Sequence, residues 1–455
     1  MPDAATNPPS PRVSGPSTGK TDVGSSTALL TDQYELTMLQ AALASGTAQR
    51  RCVFEVFARR LPDGRRYGVV AGTGRLLDAL EAFRFDQPVL DDLANRKVVD
   101  DATLAWLSTY TFTGTVHGYA EGECFFPGSP LLVVEGSFAE AVVLETIVLS
   151  ILNHDSAIAS AASRMTSAAG GRPCIEMGSR RTHEQAAVAA ARAAYIAGFA
   201  STSNLQAGRC YGLPTVGTSA HAFTLLYDDE RAAFTAQVAS LGTGTTLLVD
   251  TYDVAEAVRM GVEVAGPGLG AVRLDSGDLL AQAVQVREQL DALGNRRTRI
   301  IVTSDLDEHA IAALAAAPVD GYGVGTSLVT GSGAPTAGLV YKLVARENRD
   351  GLMVGVAKRS KDKLSIAGQK WALRRRNRAG VAQAEVIGIG RPPTDDGDDR
   401  LLLAELVRDG KPVGGEPLDR ARERHAASLR ELPPSATQLS RGEPAIPTVY
   451  EQEEP

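Results

Sequence analysis

The sequence predicts an α/β protein whose centre is an irregular, TIM-like parallel βα barrel. Three observations predict this fold. Short apolar segments without polar alternation recur between residues 172 and 327, as expected for strands that are buried on both faces. Helix-forming segments separate them, which is the pattern of successive βα units. Glycine-rich or polar turns follow the apolar segments, and their uneven spacing indicates an irregular barrel instead of a regular eightfold one.

Composition and charge limit the classes of function. The chain has 455 residues, enough for two or three domains, and 44% of them are hydrophobic, as in globular proteins. A net charge of −8 disfavours nonspecific binding to nucleic acid or to an anionic membrane. Acidic residues interrupt the apolar stretch 139–152, so we predict no membrane span there. Four widely separated cysteines fit neither a zinc site nor a disulfide framework, and they predict free thiols in the cytoplasm.

The N-terminal part divides into a tail and a domain. Residues 1–26 are rich in proline, serine, glycine and threonine, and we expect a disordered tail. Residues 27–150 are expected to form an N-terminal α/β domain. Its first helix is capped by Thr31, and its predicted apolar face consists of Tyr34, Met38, Leu39 and Ala42. The turn Gly72-Thr73-Gly74 has the composition of a phosphate cradle, but an ordinary turn between strand and helix is favoured.

A long helix is predicted at 139–169. His154 in its middle is predicted to pack or cap, not to catalyse. Arg164 near its end has two open interpretations, a contact with a polyanion or a solvated side chain.

The barrel is expected at 151–335, and polar side chains follow nearly all of its predicted strands. The carboxyl ends of barrel strands form the functional face of this architecture. Each polar residue taken singly fits an ordinary cap or turn, but their joint occurrence favours an enzyme. These residues are Glu176, Arg180, Asn204, Thr218, His221, Asp250, Arg273, Asp275, Ser304, Asp305, Gly325 and Thr326.

His221 is the strongest single candidate. It follows a predicted buried strand at Leu213–Val216 and the turn residue Gly217. Imidazole is well suited to exchange a proton or a phosphoryl group near neutral pH. The competing interpretation is a structural histidine that only donates and accepts hydrogen bonds.

The other strand ends suggest a phosphorylated sugar and an anionic small molecule. The turn Gly325-Thr326-Ser327 suits phosphate binding through backbone N–H groups, or a plain helix cap. Arg273 suits a planar carboxylate, or an ion pair with Asp250 or Asp275. These two carboxylates also suit sugar hydroxyls, hydrated Mg²⁺ or helix capping. The chain has no Walker A motif, so ATP would bind in another geometry.

The C-terminal part returns to β character. We expect residues 336–445 to form a β-rich segment and residues 446–455 to be a loose tail. The basic segment 358–376 either contacts polyphosphate or forms a solvated face. An amphipathic helix is predicted at 418–432.

Five motifs together carry a family resemblance. In chain order they are Leu30-Thr31-Asp32-Gln33-Tyr34-Glu35, Gly217-Thr218-Ser219-Ala220-His221, Val249-Asp250-Thr251-Tyr252-Asp253, Val272-Arg273-Leu274-Asp275-Ser276-Gly277-Asp278 and Gly323-Val324-Gly325-Thr326-Ser327. The chain resembles the nicotinate phosphoribosyltransferases from about Leu29 to at least Arg376.

The resemblance implies a fold and a reaction. The implied type II phosphoribosyltransferase fold packs an α/β domain, built from N- and C-terminal segments, on the irregular barrel. The implied reaction converts nicotinate, phosphoribosyl pyrophosphate, ATP and water to nicotinate mononucleotide, pyrophosphate, ADP and phosphate. Mg²⁺ and a homodimer with active sites at its interface are also implied.

The resemblance also implies residue roles. It places a transient phosphohistidine at His221. Nicotinate-binding residues fall on Tyr34, Thr218 and Arg273, and phosphoribosyl-binding residues fall on Arg180, Asp275, Gly325 and Thr326. Two alternatives remain open at this point, which are a nicotinamide or quinolinate phosphoribosyltransferase on the same fold and a non-catalytic sensor of phosphoribosyl ligands.

Overall fold

The computed structural model describes residues 26–358 and 365–451. The strands are β1 (Arg51–Ala58), β2 (Gly68–Val69), β3 (Thr115–Tyr119), β4 (Cys124–Phe125), β5 (Leu132–Ser137), β6 (Cys174–Glu176), β7 (Ser201–Thr202), β8 (Thr246–Leu248), β9 (Ala271–Leu274), β10 (Arg299–Val302), β11 (Gly321–Val324), β12 (Leu339–Glu347), β13 (Met353–Gly355), β14 (Lys370–Arg376), β15 (Ala382–Ile389), β16 (Arg400–Leu401), β17 (Leu403–Arg408), β18 (Lys411–Pro412) and β19 (Thr448–Glu451).

The α-helices are α1 (Gln33–Ala44), α2 (Thr73–Glu81), α3 (Gln87–Asn95), α4 (Asp101–Leu107), α5 (Phe138–Val142), α6 (Glu145–Ala168), α7 (Glu184–Ile196), α8 (Leu205–Tyr211), α9 (His221–Leu225), α10 (Glu230–Leu241), α11 (Val254–Ala265), α12 (Leu279–Ala292), α13 (Glu308–Ala313), α14 (Thr326–Val329) and α15 (Leu418–Glu431). All but the last residue of the predicted tail 1–26 lie outside the described residues, so its disorder stays a prediction.

A parallel sheet carries the strand ends singled out above. Its six strands run in the order β7-β6-β11-β10-β9-β8, and every pairing in it is parallel. The predicted parallel βα arrangement is therefore confirmed as a curled half-barrel. A closed TIM-like barrel is not confirmed, because β7 and β8 remain the two edges of this sheet in the described ranges.

One predicted strand is absent in the form expected. The segment 213–216 forms a single parallel bridge, between Thr215 and Thr202, beside the edge strand β7. Pro214 lacks the N–H group that a longer ladder would require, and Val216 is 41% exposed. The chain therefore crosses the open edge here as an extended loop, and this loop leads directly to His221 at the start of α9.

An antiparallel sheet joins distant parts of the chain. Its seven strands run in the order β13-β12-β1-β5-β3-β17-β18. Strand β12, which follows the parallel sheet in sequence, pairs with β1, and β17 pairs with β3. Strands from both sequence ends thus meet in one sheet. The exact domain boundaries given above stay predictions.

Helix α6 connects the two main cores. Its first half, from Ile147 to Leu152, is buried with the antiparallel sheet, and its second half, from Ile158 onward, is buried with the parallel sheet. By length and apolar composition the continuous stretch 138–168 could cross a membrane, but 67% of its most apolar window is buried inside the protein. The stretch is thus placed as a core helix.

The C-terminal segment corrects one expectation and confirms another. Strand β19 pairs with β15 in a four-stranded sheet, so the chain up to Glu451 is ordered in the sheet and not a loose tail from residue 446. Parallel ladder bonds to β15 hold it in place. The predicted amphipathic helix is confirmed as α15.

Neither interpretation of the basic segment holds for its described inner part. Lys370 is 2% exposed, and its Nζ lies 2.8 Å from Oε2 of Glu55. Arg374 is fully buried, and its Nη2 donates to Glu385 at 2.8 Å. These cations therefore neutralise buried carboxylates instead of facing solvent or a ligand. Lys361 and Lys363 lie outside the described residues.

Two further expectations are settled in the N-terminal half. The N–H of Gly72 donates to Oε1 of Glu121 at 2.6 Å, so a protein carboxylate already occupies the predicted phosphate cradle. The favoured interpretation of an ordinary turn is confirmed. Arg164 is 4% exposed and donates from Nε to Glu308 at 3.0 Å. It is a buried ion-pair residue, and both alternatives proposed for it were wrong.

Candidate active site

His221 and Asp250 form the centre of the site. The imidazole Nε2 lies 3.1 Å from Oδ1 of Asp250. The Asp250 side chain is 3% exposed, whereas that of His221 is 39% exposed. A carboxylate accepts hydrogen bonds, so Nε2 carries the proton in this contact. The Nδ1 lone pair is then free, and the ring is accessible to a ligand.

Asp250 is held from its other side by the neighbouring strand end. Its Oδ2 accepts the backbone N–H of Asp275 at 3.0 Å and the hydroxyl of Ser276 at 2.6 Å. The parallel pairing of β8 with β9 places the two strand ends side by side. The orientation of the carboxylate, and with it that of the imidazole, is therefore fixed by the sheet.

Thr218 and Arg273 form a second contact in the site. The Nη1 group of Arg273 donates to Oγ1 of Thr218. Burial lowers the pKa of the Arg273 guanidinium, while Asp275 and Asp250 act to raise it. Its buried Nε has no hydrogen-bond partner among the described residues. A desolvated guanidinium with an unused donor is suited to bind an anionic group of a ligand.

The turns after β6 and β11 pack closely. A Cβ atom placed on Gly178 would lie 3.0 Å from the carbonyl oxygen of Gly325 and 2.2 Å from Val329. Glycine at 178 therefore permits the turn that carries Arg180 to lie against the turn of Gly325 and Thr326. The positive charge of Arg180 contributes to lowering the pKa of Arg273, so the Arg180 turn lies on the same side of the sheet as Arg273.

Glu176 holds the turn that carries Arg180 through a hydrogen bond to its backbone. It is completely buried, and its carboxylate accepts the N–H of Gly178 and the hydroxyl of Thr202. Asn204 is held nearby, since its Nδ2 donates to Ser179 at 3.0 Å. These two strand-end residues therefore have structural partners in this chain.

Asp275 contacts the next strand end. Its Oδ1 accepts the hydroxyl of Thr303, and Oδ2 has no partner in the described part of the chain. Ser304 follows with a φ of 122°, a backbone conformation that glycine adopts much more readily than serine. Ser304 and Asp305 are both exposed. The carboxyl ends of β9 and β10 therefore leave side-chain oxygen atoms accessible to a ligand.

Tyr34 lies apart from the strand-end residues within this chain. It is 46% exposed on α1, and Met38 is 36% exposed, so the apolar face predicted for this helix was wrong for both. Burial and the nearby Glu145 raise the pKa of Tyr34 to about 12. The buried anchor of α1 is instead Glu35, which accepts the N–H of Thr146 at 2.9 Å.

One residue near the site was missed by sequence reasoning. Glu230 begins α10 and is only 6% exposed, although no strand end precedes it. Burial, Asp250 and Asp253 raise the pKa of its carboxyl to about 6. Acidic residues are common in the first turn of a helix, so the sequence gives no sign that Glu230 is unusual. Only its buried position in the structure sets it apart from other helix-start carboxylates.

Comparison with known proteins identifies relatives over nearly the whole chain. Residues 29–153 match the family described as nicotinate phosphoribosyltransferase (NAPRTase) N-terminal domain. The chain is 60% identical over 439 residues to nicotinate phosphoribosyltransferase pncB1 of Mycobacterium tuberculosis, covering 94% of this chain and 96% of that protein. It is 38% identical over 356 residues to nicotinate phosphoribosyltransferase of Bacillus subtilis, covering 76% and 72%. The crystal structure of human nicotinic acid phosphoribosyltransferase superimposes with a TM-score of 0.78 at 27% identity, covering 93% and 98%.

Proposed function

The chain belongs to the nicotinate phosphoribosyltransferase family, the phosphoribosyl-transferring enzymes of NAD salvage, and from that premise we propose how its strand-end residues carry out the reaction. The ring nitrogen of nicotinate attacks the anomeric carbon of phosphoribosyl pyrophosphate, and the carbon–oxygen bond to pyrophosphate breaks. The contact between Arg273 and Thr218, next to the His221–Asp250 pair, is the observation that supports this assignment.

Arg273 and Thr218 orient nicotinate in this proposal. The guanidinium offers a cation and an unused Nε donor to the pyridine carboxylate, and the Thr218 hydroxyl lies next to it. Fixing the carboxylate aims the ring nitrogen at the ribose, so binding supplies orientation. Nicotinamide has no charge for Arg273 to pair with, which favours the acid as substrate.

His221 receives a phosphoryl group from ATP. The free Nδ1 attacks the γ-phosphorus, the bond to the β–γ bridging oxygen breaks, and ADP leaves. The imidazolium formed keeps its Nε2 proton, which Asp250 stabilises from 3.1 Å. Hydrolysis of the phosphohistidine later returns phosphate and the neutral ring. The cycle consumes one ATP and one water for each nicotinate converted.

The phosphoribosyl group lies across the turns of Arg180 and Thr326. Backbone N–H groups at Gly325 and Thr326 and the Arg180 guanidinium offer donors for phosphate oxygens. Asp275 keeps one carboxylate oxygen free of partners among the described residues, and this oxygen suits a ribose hydroxyl or Mg²⁺. Mg²⁺ usually binds one or two carboxylates together with substrate phosphates, so a single free carboxylate fits it. Bound there, Mg²⁺ would neutralise the departing pyrophosphate.

A homodimer completes the site in this proposal. Tyr34 interacts with Glu145 on its own α1–α6 surface instead of with the strand-end residues. Its exposed ring is available to a second copy of the chain, where it would stack on the pyridine. We also propose a cytoplasmic location, which the free thiols fit, since Cys52, Cys124 and Cys174 are buried and unpaired.

A substrate panel tests the proposed function. Nicotinate, nicotinamide and quinolinate are each supplied with phosphoribosyl pyrophosphate, with and without ATP. We expect turnover of nicotinate, increased by ATP. Turnover of nicotinamide or quinolinate in preference to nicotinate would contradict the choice of substrate, and equal nicotinate rates without ATP would contradict the coupling.

Labelling with γ-phosphate-labelled ATP tests the histidine. We expect an acid-labile label that His221→Ala abolishes. His309→Ala is the matched control, because His309 is exposed on α13 and should leave labelling intact. Unchanged labelling in His221→Ala would assign the phosphoryl group elsewhere.

A further inference from the structure

Glu230 is a buried carboxyl that the mechanism above does not use. It is 6% exposed, and its Oε1 is buried without a hydrogen-bond partner in the residues described. A buried polar group without a partner destabilises the fold, so its position needs a physical explanation. Helix α10, which it begins, is 12 residues long and is capped separately by Asp229, whose carboxylate accepts the N–H of Ala232 at 2.7 Å.

The orientation of α10 places Glu230 at the active-site end of the sheet. Gln237 donates from Nε2 to Oγ1 of Thr245 at 3.0 Å and to the carbonyl of Thr246 at 2.9 Å, where β8 begins. Glu230 precedes Gln237 by about two helical turns and therefore shares its face. The second half of α10 therefore lies near the start of β8. The first turn of α10, which contains Glu230, lies near the end of β8, where Asp250 is found.

Two carboxylates on neighbouring elements raise the pKa of Glu230 through their negative charge. Asp250 follows β8, and Asp253 caps α11 by accepting the N–H of Glu256 at 2.9 Å. Together with burial they raise the pKa of Glu230 to about 6. Asp250 accepts hydrogen bonds from His221, Asp275 and Ser276. The buried Oε1 of Glu230 lacks such donors in the described residues, so Glu230 changes its charge near pH 6.

The adjacent residue on α10 does not cancel this charge. Arg231 points to Glu263 of α11 and pairs with it. Ionisation of Glu230 therefore adds a negative charge near Asp250, and Arg231 does not neutralise it. Such a charge stabilises a positive imidazolium at His221 and has little effect on the neutral ring.

We propose that Glu230 is a positioning residue that acts through Asp250 on the His221 imidazole and thereby controls how readily His221 accepts a phosphoryl group. The inference rests on the proposed phosphorylation of His221, in which a cation forms on the ring. With Glu230 ionised, two buried carboxylates stabilise that cation. With Glu230 neutral, Asp250 stabilises it alone.

The titration of His221 in the substrate-free protein tests this link. Carbon-13-labelled histidine is followed by NMR, and the His221 signal is assigned by its loss in His221→Ala. Glu230→Gln keeps the size of the side chain and removes its charge. We expect His221 to titrate at lower pH in this variant, by on the order of one pH unit. Glu230→Leu also removes the charge but introduces no amide. We expect it to shift the His221 titration in the same direction, which would show that the amide of glutamine does not cause the shift.

Glu256→Gln is the matched control. Glu256 also occupies the first turn of a helix, but its side chain is 60% exposed and pairs with Arg259. This variant should leave the His221 titration unchanged. An unchanged titration in Glu230→Gln, or an equal shift in Glu256→Gln, overturns the inference.

The rate of labelling by ATP, measured at several pH values, distinguishes the link through Asp250 from the proposed phosphorylation of His221. In the unsubstituted protein we expect the labelling rate to rise between pH 5 and 7 more steeply than in Glu230→Gln, because Glu230 ionises in that window. A shifted titration without any label would refute the phosphohistidine and keep the link through Asp250. Labelling with parallel pH profiles in both proteins would refute the link and keep the phosphohistidine.

Discussion

The imidazole Nε2 of His221 lies 3.1 Å from a carboxylate oxygen of Asp250 that is almost completely shielded from solvent. This contact determines which ring nitrogen carries the proton. The carboxylate can only accept, so Nε2–H donates and Nδ1 keeps its lone pair. The nucleophilic character of His221 therefore depends on Asp250 being an acceptor.

Asp250→Asn should reduce phosphorylation of His221 by about 10²-fold or more, because an amide can donate to Nε2 and leave the proton on Nδ1. The acid-labile label from γ-labelled ATP measures this rate. The KM for nicotinate should change little, since Arg273 and Thr218 remain. Asp86→Asn, at the cap of α3 in the N-terminal half, is the control. Equal labelling in Asp250→Asn and the unsubstituted protein would contradict the tautomer assignment.

Arg273→Lys should raise the KM for nicotinate roughly 10- to 100-fold, because a hydrogen bond to a charged group is worth about 1.5–3 kcal/mol. Lysine keeps the charge and loses the fork that matches a carboxylate. Steady-state kinetics at saturating phosphoribosyl pyrophosphate measure the effect. The same change at the exposed neighbour of Arg180, Arg181→Lys, should leave KM unaltered. An unchanged KM in Arg273→Lys would remove Arg273 from the nicotinate site.

The positions of several candidate residues were predictable because they follow a local rule. Apolar strands predict where the chain reaches the end of the sheet, and Asp250 after β8 and Arg273 near the end of β9 were identified from this position. His221 was identified in the same way, although the segment before it forms a single bridge and no full strand. The parallel pairing of β8 with β9 places Asp250 beside Asp275.

Other features were not predictable because they depend on what packs against a pattern. The 3.6-residue period assigned Tyr34 to a buried face, yet α1 buries Glu35 through hydrogen bonds to Thr146 and leaves the tyrosine exposed. A run of cations gives no sign that Lys370 has a buried carboxylate partner more than 300 residues away in sequence. Glu230 likewise becomes notable only when α10 is laid along β8.

Lys370→Met should destabilise the protein by about 3–5 kcal/mol, because it leaves Glu55 buried without its cation. The midpoint of urea unfolding measures this loss. The double variant Glu55→Met with Lys370→Met should recover much of it, since an apolar pair replaces a buried ion pair at little cost. Arg375→Met, at a partly exposed site, should have a much smaller effect. A raised KM for phosphoribosyl pyrophosphate with unchanged stability would instead indicate that Lys370 contacts phosphate.

Mixing two defective variants should restore ATP-stimulated turnover if the site is shared between subunits. Tyr34→Ala removes the stacking ring, and His221→Ala removes the proposed phosphoryl acceptor. A mixed dimer contains one site with both defects and one site with neither. We expect ATP-stimulated turnover of nicotinate to increase after the two purified variants are co-refolded or exchanged, above the level of either variant alone. No increase in verified mixed dimers would place both side chains in the same chain's site.

His425 should make the protein sensitive to mild acid. It is 4% exposed on α15, neither ring nitrogen has a hydrogen-bond partner among the described residues, and burial lowers its pKa to about 4. Below pH 6.5 the unfolded chain binds a proton at this ring, whereas the folded chain does not until about pH 4. Unfolding therefore takes up a proton in this window, and stability falls with pH by up to about 3 kcal/mol.

Replacing the ring tests this origin of acid sensitivity. His425→Leu removes the titrating group at similar volume, so its free energy of unfolding should fall less steeply between pH 6.5 and 4, by the equivalent of one bound proton. Urea unfolding at a series of pH values gives the slope. His309→Leu, at an exposed ring, should keep the slope of the unsubstituted protein. If His425→Leu also kept that slope, His425 would carry its proton in both states, and the proton taken up on unfolding would belong to another group, such as the buried carboxyl of Asp155, whose pKa is lowered in the fold.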